Sequence, residues 1–276
     1  MKYSEEQLAE LQEVEYSILE EIIRVCDLEG IPYFTVGGTT LGAVRHGAMI
    51  PWDDDIDIGM LREDYERFLE VAPQRLKKGF TLTWFQTDAN APTYFAKVRK
   101  DGTEFVEEYV EDIDMHKGVF VDIMPYDKLP ISERKKKKYY FDVILWNQIY
   151  IAKSTGKVSM VENSNNKLYI VIRKVMHALE RPVSKAYLYR KLDEKLRKYN
   201  ATDSQIISSR GIKEFESPIS DVFPTVECQF GELKVMIPRN ADKLLRIQYG
   251  NYKELPPLDK RYGHAPLKIK LEEKEG

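Results

Sequence analysis

At 276 residues and 43% hydrophobic content, the chain can bury a sizeable core as one elaborated domain or two small ones. Its opening, MKYSEEQLAELQE, is acidic and lacks an apolar h-region, and no run of about 18 apolar residues occurs, which argues against secretion and membrane spanning. Net charge is only −3, yet residues 131–200 hold 17 Lys and Arg against 6 Asp and Glu, so this block carries +11 and the remainder −14. Cys26 and Cys228 fit no metal or redox spacing and read as buried free thiols, consistent with a reducing cytoplasm.

Ser4 and Gln7 form a capping box. Leu8, Leu11, Val14, Ile18, Leu19, Ile22 and Cys26 follow at helical spacing up to Gly30, predicting a helix packed by one face. Residues 31–36 are apolar and β-favouring and read as a strand that delivers Gly37 and Gly38 to its end. Two glycines let a backbone approach a ligand closely, and Thr39 and Thr40 are placed to cap the next helix while its N–H groups face an anion. Alone, such a pair is a common turn signal; a carboxylate strand downstream makes it informative.

The stretch 37–60, GGTTLGAVRHGAMIPWDDDIDIGM, organises the chain. Read as a strand, its end puts Asp53, Asp55 and Asp57 on one face while Ile56 and Ile58 point into a core. Carboxylates two apart on a strand lie roughly 6.5 Å from each other, near enough to share a metal. Like charges that close need compensation, and a divalent cation is the simplest. A solvated acidic turn would not need isoleucines in register with the acids. An EF-hand loop opening at Asp53 fails, because its sixth position is Ile58 where Gly is required and its twelfth is Asp64.

Residues 61–72 place Tyr65, Phe68, Leu69 and Ala72 on one helical face, with Pro73 expected to end the helix. Phe80, Leu82 and Trp84 alternate as a strand. Residues 94–99 and 103–108 flank Lys100-Asp101-Gly102 and predict a hairpin. Lys97 and Arg99 share strand parity, so both could reach a phosphate from one face; otherwise they are solvated. Residues 118–125, GVFVDIMP, are an apolar β run whose single charge, Asp122, is costly to bury without a partner. A metal shared with Asp55 and Asp57 would be one.

From Ile131 the character changes to a basic run, 134–138, followed by an aromatic stretch, 139–151, too short and polar to span a bilayer. A polar stretch, 159–166, precedes a helix through Leu179, stopped near Pro182. Ser184 caps another, with Leu188, Leu192 and Leu196 at four-residue steps. The result is a helical layer with a basic exterior: ordinary solvated faces, or a docking surface for anionic lipid headgroups or an anionic polymer. Residues 226–230 and 233–237 alternate around Gly231-Glu232 as a hairpin, Asn240 caps a short helix ending at Gly250, and the tail after Lys268 is expected to fray. Without a clear linker, the chain reads as a single domain, 1–276, with 131–200 as an elaboration within it.

These motifs resemble the LicD family of phosphorylcholine transferases, relatives of fukutin within the polymerase-β-type nucleotidyltransferase superfamily. The likeness continues in order through AKVRKDGT, GVFVDIMPYD and IPRNADKLLRIQYGNYKELPPLDKRYGH, spanning roughly residues 33–264, and says least about the basic block. It implies an α+β fold: a nucleotidyltransferase-type mixed β-sheet flanked by helices, with an inserted basic helical layer. By this resemblance Gly37, Gly38 and Thr39 form a nucleotide-phosphate loop. Asp55 and Asp57 bind metal, and Asp122 is the third carboxylate, on a neighbouring strand. Arg45 and, more loosely, Lys97, Arg99 and His264 contact substrate. Two departures stand out: a longer spacing from the glycines to the acids than in small nucleotidyltransferases, and Met124-Pro125-Tyr126 where relatives often carry Phe and Leu.

The implied reaction is transfer of phosphocholine from CDP-choline to a hydroxyl of a cell-surface glycan precursor, of teichoic acid or lipopolysaccharide type, releasing CMP. Mg²⁺ is the implied cofactor, with Mn²⁺ as the other option. A quaternary ammonium needs an aromatic cage. Trp52 adjoins the acids and is the first candidate wall, with Tyr94, Phe95 and Trp84 behind it, though each also reads as core. CDP-ribitol or CDP-glycerol as donor, nucleotidyl transfer with release of pyrophosphate, and a non-catalytic metal-dependent binding module are the alternatives. Expected partners are a CDP-alcohol, a glycan or lipid-linked glycan acceptor and an anionic membrane surface, with no nucleic acid. The expected location is cytoplasmic, peripheral at the inner face of the membrane.

Overall fold

The computed structural model describes residues 4–155, 157, 167–179, 182–264 and 266–271; the polar stretch 159–166 and the end of the charged tail lie outside them. Helix α1 (Glu5–Glu29) opens on the expected capping box, with Ser4 Oγ accepting the Gln7 N–H at 3.0 Å and Gln7 Oε1 accepting the Ser4 N–H at 3.1 Å. It closes on Gly30 in the left-handed conformation. Strand β1 (Phe34–Thr35) is shorter than its apolar run, because Val36 already serves as N-cap of α2 (Gly37–His46). Strand β2 (Asp57–Leu61) leads straight into α3 (Arg62–Arg75). Pro73 does not end α3: it sits in the last turn, and the Leu76 N–H still reaches the Ala72 carbonyl at 2.9 Å.

Strands β3 (Phe80–Thr83), β4 (Ala96–Lys100), β5 (Glu104–Val106) and β6 (Phe120–Lys128) follow. The helical layer comprises α4 (Glu133–Ser154), α5 (Lys167–Leu179) and α6 (Lys185–Leu196). The chain then returns through β7 (Ile206–Ser209), β8 (Ser217–Pro218) and α7 (Ile219–Val222). It ends in the hairpin β9 (Val226–Phe230) and β10 (Leu233–Ile237), helix α8 (Ala241–Tyr249) and β11 (Lys268–Lys270).

The central sheet runs β1-β2-β6-β4-β3, with β7 on the far end of β6 and β8 on β7. Strands β2 and β6 are parallel and the other pairs antiparallel, giving a mixed sheet with helices against it, compatible with the expected α+β class. The hairpin expected around Lys100-Asp101-Gly102 does not form. Both edges of β4 are occupied, by β3 and β6, so the chain turns away at Gly102 and β5 pairs with β11 instead. That pairing also orders part of the tail expected to fray. Asn240 does not cap α8 through its side chain, whose Nδ2 donates to Asp221 Oδ1 at 2.5 Å.

Side-chain alternation along β6 divides the core. Val121 and Ile123 join Leu11, Ile18 and Ile22 of α1, whereas Met124 and Tyr126 pack with Leu188, Leu192 and Leu196 of α6 and Val143 of α4. One polar knot ties the helical layer to the sheet: Arg62, at the start of α3, is bidentate to the buried Asp127 of β6, and the Asn200 amide donates to the same carboxylate at 2.6 Å.

Lys185, at the start of α6, donates to the Ala91 carbonyl at 2.6 Å above the Tyr150 ring, and burial pushes its ammonium down to about 7 from an ordinary 10.5. Between those values the unfolded chain holds a proton that the folded chain has released, so folding stability falls as pH drops through this window. Lys185→Met is expected to remove that slope, about 1–2 kcal/mol after allowance for partial exposure, read as denaturation midpoints at about pH 7 and about pH 10.

Candidate active site

Exposure alternates along residues 53–58 as the sequence implies, with Asp53, Asp55 and Asp57 half-buried and Asp54, Ile56 and Ile58 buried. The ladder itself begins only at Asp57, and residues 53–56 belong to no strand, although the Ile56 carbonyl accepts the Asp122 N–H at 2.9 Å. Asp57 lies opposite Asp122 on the parallel neighbour β6, and Asp122 lies opposite Lys97 on β4. A row of acid, acid and cation therefore crosses three adjacent strands. Lys97 Nζ donates to Asp122 Oδ1 at 2.5 Å, with both residues buried. Arg99 shares the parity of Lys97, but its Nε donates to Thr83 Oγ1 at 3.1 Å and one terminal nitrogen to the Gly118 carbonyl at 2.7 Å. Protein groups thus engage both cations assigned to phosphate.

The glycine pair opens α2, with Gly37 at φ 52°. Thr39 and Thr40 do not cap the helix. Thr39 Oγ1 accepts the Asp57 N–H at 2.8 Å, and Thr40 Oγ1 shares a 2.9 Å hydrogen bond with Thr35 Oγ1, so the threonines bind the loop to β2 and β1. A Cβ on Gly38 would stand 2.8 Å from Asp53 Oδ2. Gly38→Ala is expected to displace that carboxylate, lowering activity several-fold while costing under about 1 kcal/mol, because only the tip of a side chain must move. Steady-state kinetics with a metal titration and thermal unfolding check the two halves.

The acids repel one another. Withdrawal from water, then Asp55, pushes Asp53 up to about 7. Asp55 is raised by burial and by Asp54 and Asp122, and Asp57 well above the usual range by burial, Asp55 and Asp122. Glu15 of α1 joins them. It is 2% exposed, its Oε2 has no hydrogen-bond partner among the described residues, and burial together with Asp55, Asp54 and Asp53 raises it well above normal. One turn before it, Gln12 Nε2 holds the Ile50 and Asp53 carbonyls at 3.1 and 2.9 Å. Glu15 escaped the sequence reading, although an acid between Leu11 and Ile18 on the apolar face was its signal.

Asp54 also went unnoticed, because it shares the core-facing parity of Ile56 and Ile58. Its Oδ1 accepts the His264 backbone N–H at 2.9 Å and pairs with His264 Nδ1 at 3.0 Å, a bond that raises the imidazole to about 9. Gly263 packs so closely that a Cβ there would meet the Asp54 carboxylate at 2.5 Å. Among the described residues, Asp54, Asp55 and His264 are the group whose ligand atoms all lie within 4.8 Å of one another; Asp57 and Asp122 stand outside it. Asp54 anchors the segment 261–264 beside the acids.

Trp52 does not offer a cage for an ammonium. The Arg45 and Arg261 guanidinium carbons lie 5.9 and 5.0 Å from its ring centroid, and a quaternary ammonium there would meet two like charges. Among the described residues neither guanidinium makes an ion pair; Arg45 donates to the Tyr252 carbonyl at 2.8 Å. Tyr94 and Phe95 are buried in the core shared with α4 and α6, and Trp84 packs on the α1 side, so the proposed walls are not brought together. Arg210, unnoticed in the sequence, stands at φ 56° with its guanidinium carbon 5.5 Å from the Phe95 ring centroid and 5.6 Å from that of Phe215. Its Nε is buried without a partner among the described residues, and its charge bears on Asp57.

Residues 30–147 match the family model described as LicD/FKTN/FKRP, nucleotidyltransferase domain. The chain is 25% identical over 259 residues to the lipopolysaccharide cholinephosphotransferase LicD of Haemophilus influenzae, covering 93% of this chain and 95% of that one. A 43-residue segment is 46% identical to the ribitol 5-phosphate transferase FKRP of Homo sapiens, covering 16% of this chain and 9% of that protein. The glycine pair, Asp55, Asp57, Lys97 and Asp122 all fall within 30–147, so the acid row lies inside the stretch that matches the LicD-family domain.

Proposed function

We propose that the chain transfers a phosphate-linked alcohol from a nucleotide-linked donor to a hydroxyl of a glycan acceptor, and that the group moved is phosphocholine from CDP-choline. The observation that carries this reading is the placement of Asp57 directly opposite Asp122 on parallel strands, with Asp55 just ahead and Asp53 against Gly38. Asp55, Asp57 and Asp122 are the residues that would hold Mg²⁺ or Mn²⁺. Half-buried carboxylates that raise one another, beside the unpartnered Glu15 oxygen, fit a hard cation that takes oxygen ligands. When bound, such an ion supplies charge stabilisation to the reacting and leaving phosphate oxygens.

Phosphoryl transfer asks mainly for positioning and electrostatics. The N–H groups at the start of α2 face a phosphate, and Arg45 and Arg261, both beside the Trp52 ring, bind anionic oxygens. Lys97 holds Asp122 through one oxygen, and the other either completes the ion site or takes the proton of the acceptor hydroxyl. The two guanidiniums at Trp52 favour a second donor, in which a polyhydroxylated alcohol such as ribitol replaces choline. Similarity to a ribitol 5-phosphate transferase supports the same alternative.

Thermal unfolding with CDP-choline, CDP-ribitol, CDP-glycerol, CTP and ATP, each with and without Mg²⁺, tests the reading, because a ligand of the folded state raises the midpoint. One CDP-alcohol should stabilise in an ion-dependent way and release CMP on incubation with acceptor. Pyrophosphate release from CTP or ATP would indicate nucleotidyl transfer. Ion binding without turnover of any donor would indicate a binding module.

A further inference from the structure

Helix α4 has one covered face and one bare one. Leu188, Leu192 and Leu196 of α6 are buried in the core that includes Tyr139 and Val143 of α4. Elsewhere on α4, Arg134, Lys137, Lys138, Phe141, Ile144 and Leu145 are all exposed, Phe141 by 66% and Ile144 by 51%. Their spacings of three, one, three, three and one keep them in one line along the helix, cations in its first turns and apolar side chains in the next. Helix α5 extends the apolar part with Ile172, Val175 and Leu179, the last 72% exposed. Between the helices, Phe141, Ile144, Leu145, Ile172 and Met176 line a groove of about 270 Å³. Scattered exposed apolar residues are ordinary, but a contiguous patch edged by charge marks a binding surface.

We infer that this face docks on an anionic bilayer surface, with Phe141, Ile144 and Leu145 entering the headgroup boundary and Arg134, Lys137 and Lys138 meeting lipid phosphates. Charge selects this occupant. The block 131–200 carries +11 in a chain whose remaining residues carry −14, so an anionic surface attracts this block and repels the rest. A second copy is disfavoured, because the same face of a partner offers these cations no counter-charge. Lys136 takes no part: it is buried, paired with Glu133 and Glu216. No helix among the described residues is long and apolar enough to cross a membrane, so the contact is a helix lying in the interface plane. The inference does not depend on the transferase reading.

Co-sedimentation with phosphatidylcholine vesicles, and with vesicles that also contain phosphatidylglycerol, tests it at low and high salt. The full chain should partition onto the anionic vesicles and be weakened by salt. Phe141→Ser with Ile144→Ser should lower partitioning by at least about tenfold. Arg134→Glu with Lys137→Glu and Lys138→Glu should lower it by roughly fivefold or more per cation. All five positions are exposed, so thermal unfolding should be unchanged. If the multiple variants fail to fold, Ile144→Ser alone serves, and Leu258→Ser, exposed elsewhere, should partition like the parent. Absence of binding to anionic vesicles, or parental partitioning of the apolar variant, would overturn the inference. So would a dimer that Phe141→Ser dissociates, since a second copy would then cover the face.

Discussion

Asp57→Asn is expected to lower kcat/KM by about a thousandfold or more while leaving the ion-free protein as stable as the parent, or slightly more stable. The two halves share one cause. Asp57 is raised by burial, Asp55 and Asp122, so the fold tolerates its charge at a cost, and the neutral amide relieves it. On the proposed reading, the same substitution removes an oxygen ligand from the place where the donor's phosphates would be stabilised. Asp122→Asn should behave differently, because it strips the buried Lys97 of its carboxylate and so destabilises by about 3–5 kcal/mol as well as inactivating. Kinetics with saturating Mg²⁺, together with thermal unfolding of both variants, read out the contrast. Normal turnover by Asp57→Asn would remove the metal assignment, and a large stability loss would make Asp57 a structural residue.

That contrast shows which parts of the site a sequence can carry. The alternation of Asp53, Asp55 and Asp57 against Ile56 and Ile58 is a period-two pattern, local by nature, and it survives in the structure even though the ladder starts only at Asp57. Asp122 was legible for a related reason: an isolated charge in an apolar β run demands a partner. The nature of that partner was not legible. Lys97 reaches Asp122 because β4 is inserted beside β6, and the local turn signal at Gly102 pointed to a β4–β5 hairpin that the occupied edges of β4 forbid. Strand order is a property of the whole sheet, and turn residues do not encode it.

The remaining groups arrive from a distance. Glu15 comes from the first helix, Arg210 from the turn after β7, and Arg261 and His264 from the segment before β11, each separated from the acids by tens to hundreds of residues. Trp52 illustrates the consequence. As a sequence neighbour of the acids it suggested a wall for an ammonium, whereas the fold places two guanidiniums beside its ring. The sign of the field at that ring was not legible in the sequence, because Arg261, one of its two sources, comes from the far end of the chain.

Arg62→Met should be the most destabilising single change outside the acid row, at about 3–5 kcal/mol, or roughly a 10 °C fall in Tm. Arg62 Nε and a terminal nitrogen meet the two oxygens of Asp127 at 2.8 and 2.5 Å, and its other terminal nitrogen approaches Asp193 of α6 at 3.4 Å. Asn200 bonds Asp127 through its amide and accepts the Lys128 N–H at 2.8 Å, so one buried carboxylate joins α3, the end of β6 and the chain leaving the helical layer. Methionine matches the volume of the Arg62 stem but leaves Asp127 buried without its main counter-charge, and the cost is that uncompensated charge. Arg62→Met with Asp127→Leu should therefore recover most of the loss, since replacing a buried pair by apolar side chains removes both desolvation penalties. Denaturant unfolding of the two single variants and the double variant measures the coupling. If the single variant lost less than about 1 kcal/mol, the pair would be water-exposed in solution, and the helical layer would depend for its attachment chiefly on apolar contacts such as those of Leu188, Leu192 and Leu196.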